Sequence, residues 1–209
     1  MGIRERRARK HEATRQAILA AARELLHAQG HASISIRRIA NRIEYSPAAI
    51  YAFFASRERI LLALAQDGFE LLREQTLAAA QDDQSRRNPL GRLRTAFWTY
   101  YTFSKTHPRY FDLMFLNRSV RTDDQEVRDI VNHLAGIVLD GVRAGELPRA
   151  LDPVAAIYCI GASIHGVAAA RVSGHLAAGI DADRVAANAL DAAIAALRGG
   201  VQLRPVVRG

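Results

Sequence analysis

The stretch SIRRIANRIEYSPAAIYAFF, residues 35–54, decides the fold that this sequence predicts. The apolar residues of its first half recur at helical spacing: Ile36, Ile39, Ala40 and Ile43. Ser46 offers a side-chain oxygen that can cap a second helix, and Pro47 follows at the first helical position, where its missing N–H costs nothing. The stretch therefore predicts two short helices joined by a tight turn.

A third helix has to cover these two, because helices this short bury too little apolar area to be stable alone. The preceding segment predicts it, since residues 12–29 carry one apolar stripe and Gly30 follows as a left-handed C-terminal cap. The stripe consists of Ile18, Ala21, Ala22, Leu25 and Leu26. A helix–turn–helix in a basic surround is typical of proteins that read DNA.

The positive charge of the chain is concentrated at the same end. The formal net charge is +8, and residues 1–62 hold 12 Lys and Arg against 5 Asp and Glu. Residues 1–11 lack periodicity and predict a flexible arm, whose cations are Arg4, Arg6, Arg7, Arg9 and Lys10. Such an arm can lie along phosphates or enter a minor groove. Charge alone leaves a solvated basic face as the alternative.

The residues from Thr14 to Leu61 carry a longer pattern. An amphipathic helix precedes I-R-R-I-A at 36–40, S-x-x-x-I-Y-x-x-F at 46–54 and S-R-E-x-I-L at 56–61. With these ordered positions, the segment resembles the DNA-binding domain of the TetR family of one-component transcriptional repressors.

Composition and this resemblance predict an all-α protein of about nine helices. The apolar residues are mostly Ala, Leu and Ile, which suit helices better than strands. The resemblance implies an N-terminal arm and helix–turn–helix domain over residues 1–56, and a helical ligand-binding and dimerisation domain over residues 57–209. The later helices are expected near residues 57–80, 90–106, 108–116, 123–144, 153–175 and 181–197.

Three positions depart from the family pattern. Glu44-Tyr45 stands where the family usually has Gly-Val, so the turn must be made by residues that disfavour positive φ. We expect Glu44 either to splay the turn or to pair with Arg42 or Arg38. Phe53 stands where the family often has His or Tyr, so a phosphate hydrogen bond from that position is lost.

The resemblance implies that the helix from Pro47 to Phe53 enters the major groove of DNA. Its exposed N-terminal side chains are then Tyr45, Ser46, Pro47, Ala48 and Ala49. Hydrogen-bond readout falls on Tyr45 and Ser46, together with Arg37, Arg38 or Arg42 of the preceding helix. Arg37 is the first candidate for guanine, because an arginine fork matches guanine O6 and N7. The phosphate candidates are Thr14, Tyr51 and Arg57. A surface salt bridge is the alternative role for each arginine.

The C-terminal half carries a looser resemblance. HPRYFDLMF at 107–115 and SIHGVAA at 163–169 are similar to one group of TetR ligand domains. This implies a homodimer through the last two long helices, which would form a four-helix bundle across a two-fold axis. Small residues that let helices approach closely agree with it: Ala156, Gly161, Ala162, Gly166, Ala169 and Ala170.

A pocket for a small hydrophobic or amphipathic ligand is expected among the middle helices. Its candidate lining is Trp98, Tyr101, Phe111, Met114, Phe115 and Tyr158, with His133 and His165 as polar groups. An ordinary hydrophobic core is the alternative, because aromatic residues at helical spacing fill cores as well as line pockets.

No catalytic residue, metal or cofactor is expected. In GASIHG, residues 161–166, the fifth position of a nucleophile elbow is His165 instead of Gly, and Ser163 and His165 do not face each other on a helix. Cys159 lies six residues from His165, a poor ligand spacing, and the sequence has no second cysteine for zinc.

Cysteine content and hydropathy predict a cytoplasmic protein. One cysteine allows no internal disulfide, and the charged N-terminus lacks the apolar stretch of a secretory signal. No membrane span is expected, because Ser163, His165 and Arg171 interrupt the most apolar stretch, 154–172.

The sequence therefore predicts a transcriptional repressor that binds double-stranded DNA as a homodimer and leaves a palindromic operator when a small molecule binds. A DNA-binding regulator or architectural protein without an inducer is the first alternative. An α-helical enzyme built around the aromatic residues, and a protein-interaction module whose helix–turn–helix is structural, are the others.

Overall fold

The computed structural model describes residues 2–80, 88–117 and 125–203, without the side chains of residues 3 and 126. These residues contain nine α-helices and no strand, which confirms the all-α prediction. A 3₁₀ turn, His31–Ser33, follows the first helix, and a π-helical turn, Asp112–Leu116, extends the sixth. The helices are α1 Ile3–Gln29, α2 Ile36–Arg42, α3 Pro47–Tyr51, α4 Arg57–Ala80, α5 Pro89–Thr106, α6 Pro108–Phe111, α7 Gln125–Arg143, α8 Pro153–Val172 and α9 Ala182–Arg198.

The chain divides into two compact units. Residues 1–68 and 109–122 form the N-terminal unit, and residues 69–108 and 123–209 form the C-terminal unit. The assignment of DNA binding to residues 1–56, and of ligand binding and dimerisation to residues 57–209, stays a prediction.

Side-chain caps and a small apolar core shape the N-terminal unit. Ser35 Oγ accepts a hydrogen bond from the Arg38 N–H at the start of α2, and Ser46 Oγ accepts one from the Ala49 N–H at the start of α3. These caps satisfy donors that a short helix would otherwise leave unbonded. The core side chains are almost fully buried: Ile18, Leu26, Ile34, Ile39, Ile50 and Ile60.

The prediction that residues 1–11 form a flexible arm is wrong. Helix α1 starts at Ile3 instead of near residue 12, so the basic N-terminal residues are helical. Between residues 3 and 29 there is no glycine or proline, and most residues near the start are Arg, Glu, Lys or Ala, which favour helices. The Gly2 N–H also donates to Glu5 Oε2 over 2.9 Å, as in a capping box.

The C-terminal unit is built around α5 and α8. Helix α5 packs against α7, α8 and α9, and α8 also packs against α7 and α9. Asn88, Asp152 and Asp181 each accept a backbone N–H and so begin α5, α8 and α9. The buried core includes Leu93, Phe97, Tyr101, Phe103, Ile160, Ile164 and Leu190.

Helix α8 corrects the expectation that no stretch is apolar enough for a membrane span. Among the described residues, it alone has the required length and composition, with a mean hydropathy of 1.5. Core helices of globular proteins meet the same criterion, and one such helix is weak evidence for a membrane. Here α8 packs against α5, α7 and α9, and a third of its apolar window is buried by them.

Candidate nucleic-acid interface and ligand cavity

The start of α3 presents an exposed surface. Tyr45 is 43% exposed, and Ser46, Pro47 and Ala48 are exposed beside it, whereas Ala49 is half-buried. Ser46 Oγ accepts the Ala49 N–H at 3.2 Å, so its own proton remains available for donation. This surface offers one hydroxyl from Ser46, one from Tyr45 and two methyl groups to a partner.

The turn between α2 and α3 bends at Glu44. Its φ is 59°, so the turn uses the left-handed conformation that the absence of glycine predicted to be strained. The Tyr45 N–H closes the turn by donating to the Ala40 carbonyl over 2.9 Å. The arginines expected to pair with Glu44 have other partners. Arg42 Nε donates to Glu24 at 2.6 Å, and Arg38 bonds elsewhere on the unit.

Arg37 and Arg38 of α2 differ in whether their guanidinium groups are already hydrogen-bonded. Arg37 is exposed, and among the described residues it has no hydrogen bond or ion pair, so its guanidinium is available to DNA. Arg38 donates instead to Gln29 Oε1 at 2.8 Å and to the Ser33 carbonyl at 3.1 Å.

Arg57, a predicted phosphate contact, is hydrogen-bonded within the N-terminal unit. It is half-buried, and its guanidinium donates to the carbonyls of Ile34 at 2.7 Å and His31 at 2.9 Å. These bonds tie the start of α4 to the link between α1 and α2. Releasing the guanidinium for a phosphate would break both bonds, although the His31 carbonyl would still accept the Ile34 N–H.

The other phosphate candidates differ in availability. Tyr51 is 55% exposed and carries its hydroxyl on the surface. Thr14 lies inside α1, and its Oγ1 donates to the Lys10 carbonyl at 3.0 Å, so its single hydroxyl proton is already used. Thr14 therefore has no proton left to donate to a phosphate in this conformation.

An open groove lies between the N-terminal part of α1 and the α2–α3 turn. It encloses about 330 Å³ and is lined by Arg7, Lys10, His11, Thr14, Tyr45 and Phe53. The imidazole of His11 lies against the ring of Phe53, with ring centres 4.6 Å apart. The residues around His11 have high helix propensity, and this is the sequence feature that indicates a position on α1.

The eight residues expected to line a ligand pocket are divided between the two compact units. Phe111, Met114 and Phe115 belong to the N-terminal unit, and the other five belong to the C-terminal unit. Phe111 packs against Phe115, with ring centres 4.9 Å apart, and Met114 is buried against Gly68. These three side chains contribute to the packing of the N-terminal unit.

The five residues of the C-terminal unit are also dispersed. Tyr101 is fully buried, packs against Trp98 with ring centres 5.3 Å apart, and donates its hydroxyl to Asp183 at 2.8 Å. Tyr158 is 52% exposed on α8. His133 is half-buried on α7, and burial followed by the nearby Arg92 charge lowers its pKa.

A small apolar cavity in the C-terminal unit lies between other residues. It encloses about 40 Å³ and is lined by Leu72, Thr76, Ala96, Phe97, Tyr100, Ile130 and Leu134. Thr76 is one of the few buried polar side chains of the described residues, at 3% exposure. In the sequence, Thr76 stands out because it is the one hydroxyl side chain on a face of α4 that otherwise carries Phe69, Leu72 and Ala80.

Tyr100 connects this cavity to His165. Its hydroxyl lies 2.6 Å from His165 Nδ1. Burial raises the pKa of Tyr100 and lowers the pKa of His165, so the phenol keeps its proton and the imidazole is neutral. Tyr100 therefore donates to Nδ1, and His165 carries its own proton on Nε2.

The residues considered for catalysis or metal binding lie along α8. Ser163 Oγ donates to the Cys159 carbonyl one turn earlier, and Cys159 is exposed. Within the part of the chain that the structure describes, no group of three or more His, Cys, Asp or Glu side chains is placed to hold a metal ion.

Family models match both parts of the chain. Residues 18–64 match the model described as bacterial regulatory proteins, tetR family, and residues 93–193 match the tetracyclin repressor-like C-terminal domain. This chain belongs to the TetR family. Its members are DNA-binding transcription regulators, and they generally act as dimers with small-molecule ligands. No curated protein matches this sequence.

Solved structures with the TetR-family fold resemble this chain along most of its length. A protein with unknown function from Rhodococcus sp. RHA1 is 25% identical, covers 88% of this chain and 95% of its own, and has a TM-score of 0.72. A tetR-family regulatory protein from Rhodococcus RHA1 is 21% identical, with coverage of 88% and 96% and a TM-score of 0.65. The regulator PfmR from Thermus thermophilus is 22% identical, with coverage of 88% and 99% and a TM-score of 0.59.

Family membership gives the surface around α3 its function. The chain is a DNA-binding transcriptional regulator, and the match over residues 18–64 includes α2, the Glu44 turn and α3. The residues of the helix–turn–helix that are exposed in this TetR-family member are therefore the candidates for DNA contact.

Proposed function

We propose that this protein is a cytoplasmic repressor that binds a palindromic operator as a homodimer and is released by a small molecule. The observation that carries the proposal is the exposed start of α3, with Arg37 of α2 available next to it. In a helix–turn–helix these positions face the major groove. Arg37 is the proposed guanine contact, Tyr45 and Ser46 supply further donors, and Tyr51 binds phosphate.

The exposed apolar residues of α8 and α9 support a homodimer. Tyr158 is 52% exposed on α8 and Val185 is 37% exposed on α9, while Ile180, just before α9, is 51% exposed. Ala162 and Gly166 add small exposed positions on α8. Pairing α8 and α9 of two copies would bury these surfaces in a four-helix bundle.

The cavity beside Tyr100 is the proposed inducer site. Its walls are apolar, which suits a hydrophobic ligand. At about 40 Å³ the cavity is far smaller than ordinary ligand pockets of roughly 300–1,000 Å³, so binding requires the surrounding helices to separate. A movement of α4 would then change the spacing of the two reading heads from the ~34–36 Å of one DNA turn.

The same small volume favours a second candidate function, a DNA-binding regulator without an inducer. A protein whose cavity stays closed would bind its operator regardless of metabolites. The two functions differ only in whether a small molecule lowers operator affinity.

Selection of DNA from a random pool tests the DNA-binding proposal. We expect a palindrome whose half-sites are about one helical turn apart. Arg37→Ala and Tyr51→Ala should each weaken binding to it, and Arg37→Ala should also relax the base preference at one position of each half-site, at a cost of about 1–3 kcal/mol. Arg143→Ala is the matched control, because Arg143 is exposed on α7 and pairs only locally with Asp140.

Failure to enrich any sequence would contradict DNA binding, and unchanged operator affinity in both variants would contradict the assigned surface. A metabolite screen on the operator complex then separates the two functions. Release by an apolar compound supports the inducer if Ala96→Leu weakens that release, because the larger side chain fills the cavity. Binding that no compound alters supports the constitutive regulator.

A further inference from the structure

The groove between α1 and the α2–α3 turn has the chemistry of an anion site. Two of its six lining residues, Arg7 and Lys10, are cations that are exposed to solvent. His11 adds an imidazole and Tyr45 adds a hydroxyl. No aspartate or glutamate is among the described residues that line it. A negatively charged group entering the groove therefore meets attraction and donors.

The groove exists because the N-terminal residues are helical. Arg7, Lys10, His11 and Thr14 follow the spacing i, i+3, i+4 and i+7, so one face of α1 presents all four. A flexible arm would not hold these side chains together. The contact between the His11 and Phe53 rings, 4.6 Å apart, fixes that face beside the end of α3.

The position of the groove identifies its occupant. Tyr45 lines the groove and also precedes Ser46, the cap of α3. When the start of α3 lies in a major groove, the chemical group beside Tyr45 is the sugar–phosphate backbone that borders it. The charge of the lining fits that backbone.

We propose that this groove binds a phosphate of the operator strand next to α3, with Arg7 and Lys10 as cations and His11 as the hydrogen-bond donor. The proposal rests on the proposed operator binding. It gives the helical extension of α1 a specific role in DNA affinity. His11 takes over a contact that Phe53 has no polar atom to make, and the Phe53 ring orients the imidazole. These are phosphate contacts, so they add affinity without changing base preference.

The salt dependence of operator affinity tests the two cations. For the double variant Arg7→Gln, Lys10→Gln we expect the slope of log affinity against log salt to become shallower by about two. The homodimer has two such grooves, and each loses one phosphate contact that contributes about 0.9 to the slope. The sequence preference in the selected pool should not change. Arg143→Gln, which lies in the C-terminal unit, should keep the full slope.

A ring exchange tests His11. His11→Phe retains an aromatic ring against Phe53 but removes the N–H, and we expect a several-fold loss of operator affinity with unchanged thermal stability. Adding Phe53→His returns one imidazole to the ring pair, and we expect it to recover most of that affinity. A role limited to packing would leave His11→Phe with normal affinity, which would overturn the assignment of His11.

The outcomes separate this proposal from operator binding itself. If the wild-type protein selects an operator and the double variant keeps the wild-type salt slope, the groove does not bind the DNA backbone. If the wild type selects no sequence, operator binding fails first. Titration with inorganic phosphate, followed by the His11 ring signals in NMR, adds a control. Binding of free phosphate together with an unchanged salt slope would overturn the DNA assignment and leave only a site for small anions.

Discussion

At the scale of single residues, Glu44 is the position where the chain conflicts with its own fold. Its φ of 59° is a conformation that a side chain with a Cβ disfavours, and glycine adopts it freely. Glu44→Gly should therefore raise the free energy of unfolding by about 1 kcal/mol, measured by urea denaturation. Glu44 is also exposed in the turn before α3, so losing its charge should strengthen operator binding.

Two variants separate these effects of Glu44. Glu44→Gln removes the charge but keeps the Cβ, so it should strengthen DNA binding without stabilising the fold. Glu44→Ala should behave in the same way. A Glu44→Gly variant no more stable than Glu44→Gln would show that the turn carries no strain.

Residues whose partners are close in sequence were predictable. Ser35 and Ser46 cap helices through N–H groups three residues away, and a local pattern is enough to find them. Arg57 bonds to the Ile34 carbonyl, 23 residues away, and Tyr101 bonds to Asp183, 82 residues away. The sequence alone does not show such pairs. The phosphate role of Arg57 and the pocket role of Tyr101 therefore stay predictions.

At the scale of elements, Gly68 decides how closely α4 and α6 approach within the N-terminal unit. A Cβ at this position would lie 2.5 Å from Met114 Sδ and 2.8 Å from Tyr110 Cδ1. The thioether can move, but the buried Tyr110 ring has little room. Overpacking costs about 1–3 kcal/mol, and alanine recovers up to about 1 kcal/mol of helix propensity. Gly68→Ala should therefore lower the free energy of unfolding by roughly 1 kcal/mol.

Gly136 is the matched control for Gly68. It lies inside α7, and nothing is within 4 Å of a Cβ built on it. Gly136→Ala should raise the free energy of unfolding by about 0.5–1 kcal/mol through helix propensity alone. Both variants are compared by urea denaturation at one protein concentration, because oligomerisation shifts apparent stability. Equal stabilisation by both alanines would contradict the close contact at Gly68.

The sequence predicts that the helices exist, but it does not predict that α1 begins at Ile3. Hydrophobic periodicity marks only residues that face a core, and residues 4–12 of α1 are exposed. Their helical state comes from intrinsic propensity and from the bond between the Gly2 N–H and Glu5. The groove lined by His11 depends on this helical start of α1. Hydrophobic periodicity therefore predicts neither of them.

At the scale of the whole molecule, the pocket was the least predictable feature. The aromatic pocket stays a prediction, and within the C-terminal unit its candidates differ: Tyr101 is fully buried, whereas Tyr158 is exposed on α8. Which helix faces meet is decided by long-range packing, and sequence periodicity indicates only that a face is buried. Thr76 was the informative residue, because a buried hydroxyl on an apolar face needs a reason to be there.

Two half-buried histidines make the stability of the folded chain depend on pH. Burial lowers the pKa of His165, and burial with the Arg92 charge lowers that of His133, from an ordinary value of 6.5. Between the lowered pKa and 6.5 the unfolded chain binds more protons than the folded chain. The contribution of these two histidines to stability is therefore greatest above pH 6.5 and falls as the pH drops through that interval.

His165→Gln isolates one of these titrations. Glutamine does not titrate, and its side-chain carbonyl can still accept the hydrogen bond from Tyr100 that His165 Nδ1 accepts at 2.6 Å. We expect urea unfolding between pH 5 and 8 to show a shallower loss of stability on acidification in this variant than in the wild type, with His133 accounting for part of the remainder. If the two proteins lose stability equally, His165 titrates alike in the folded and unfolded chains, and its bond to Tyr100 does not depend on a neutral ring.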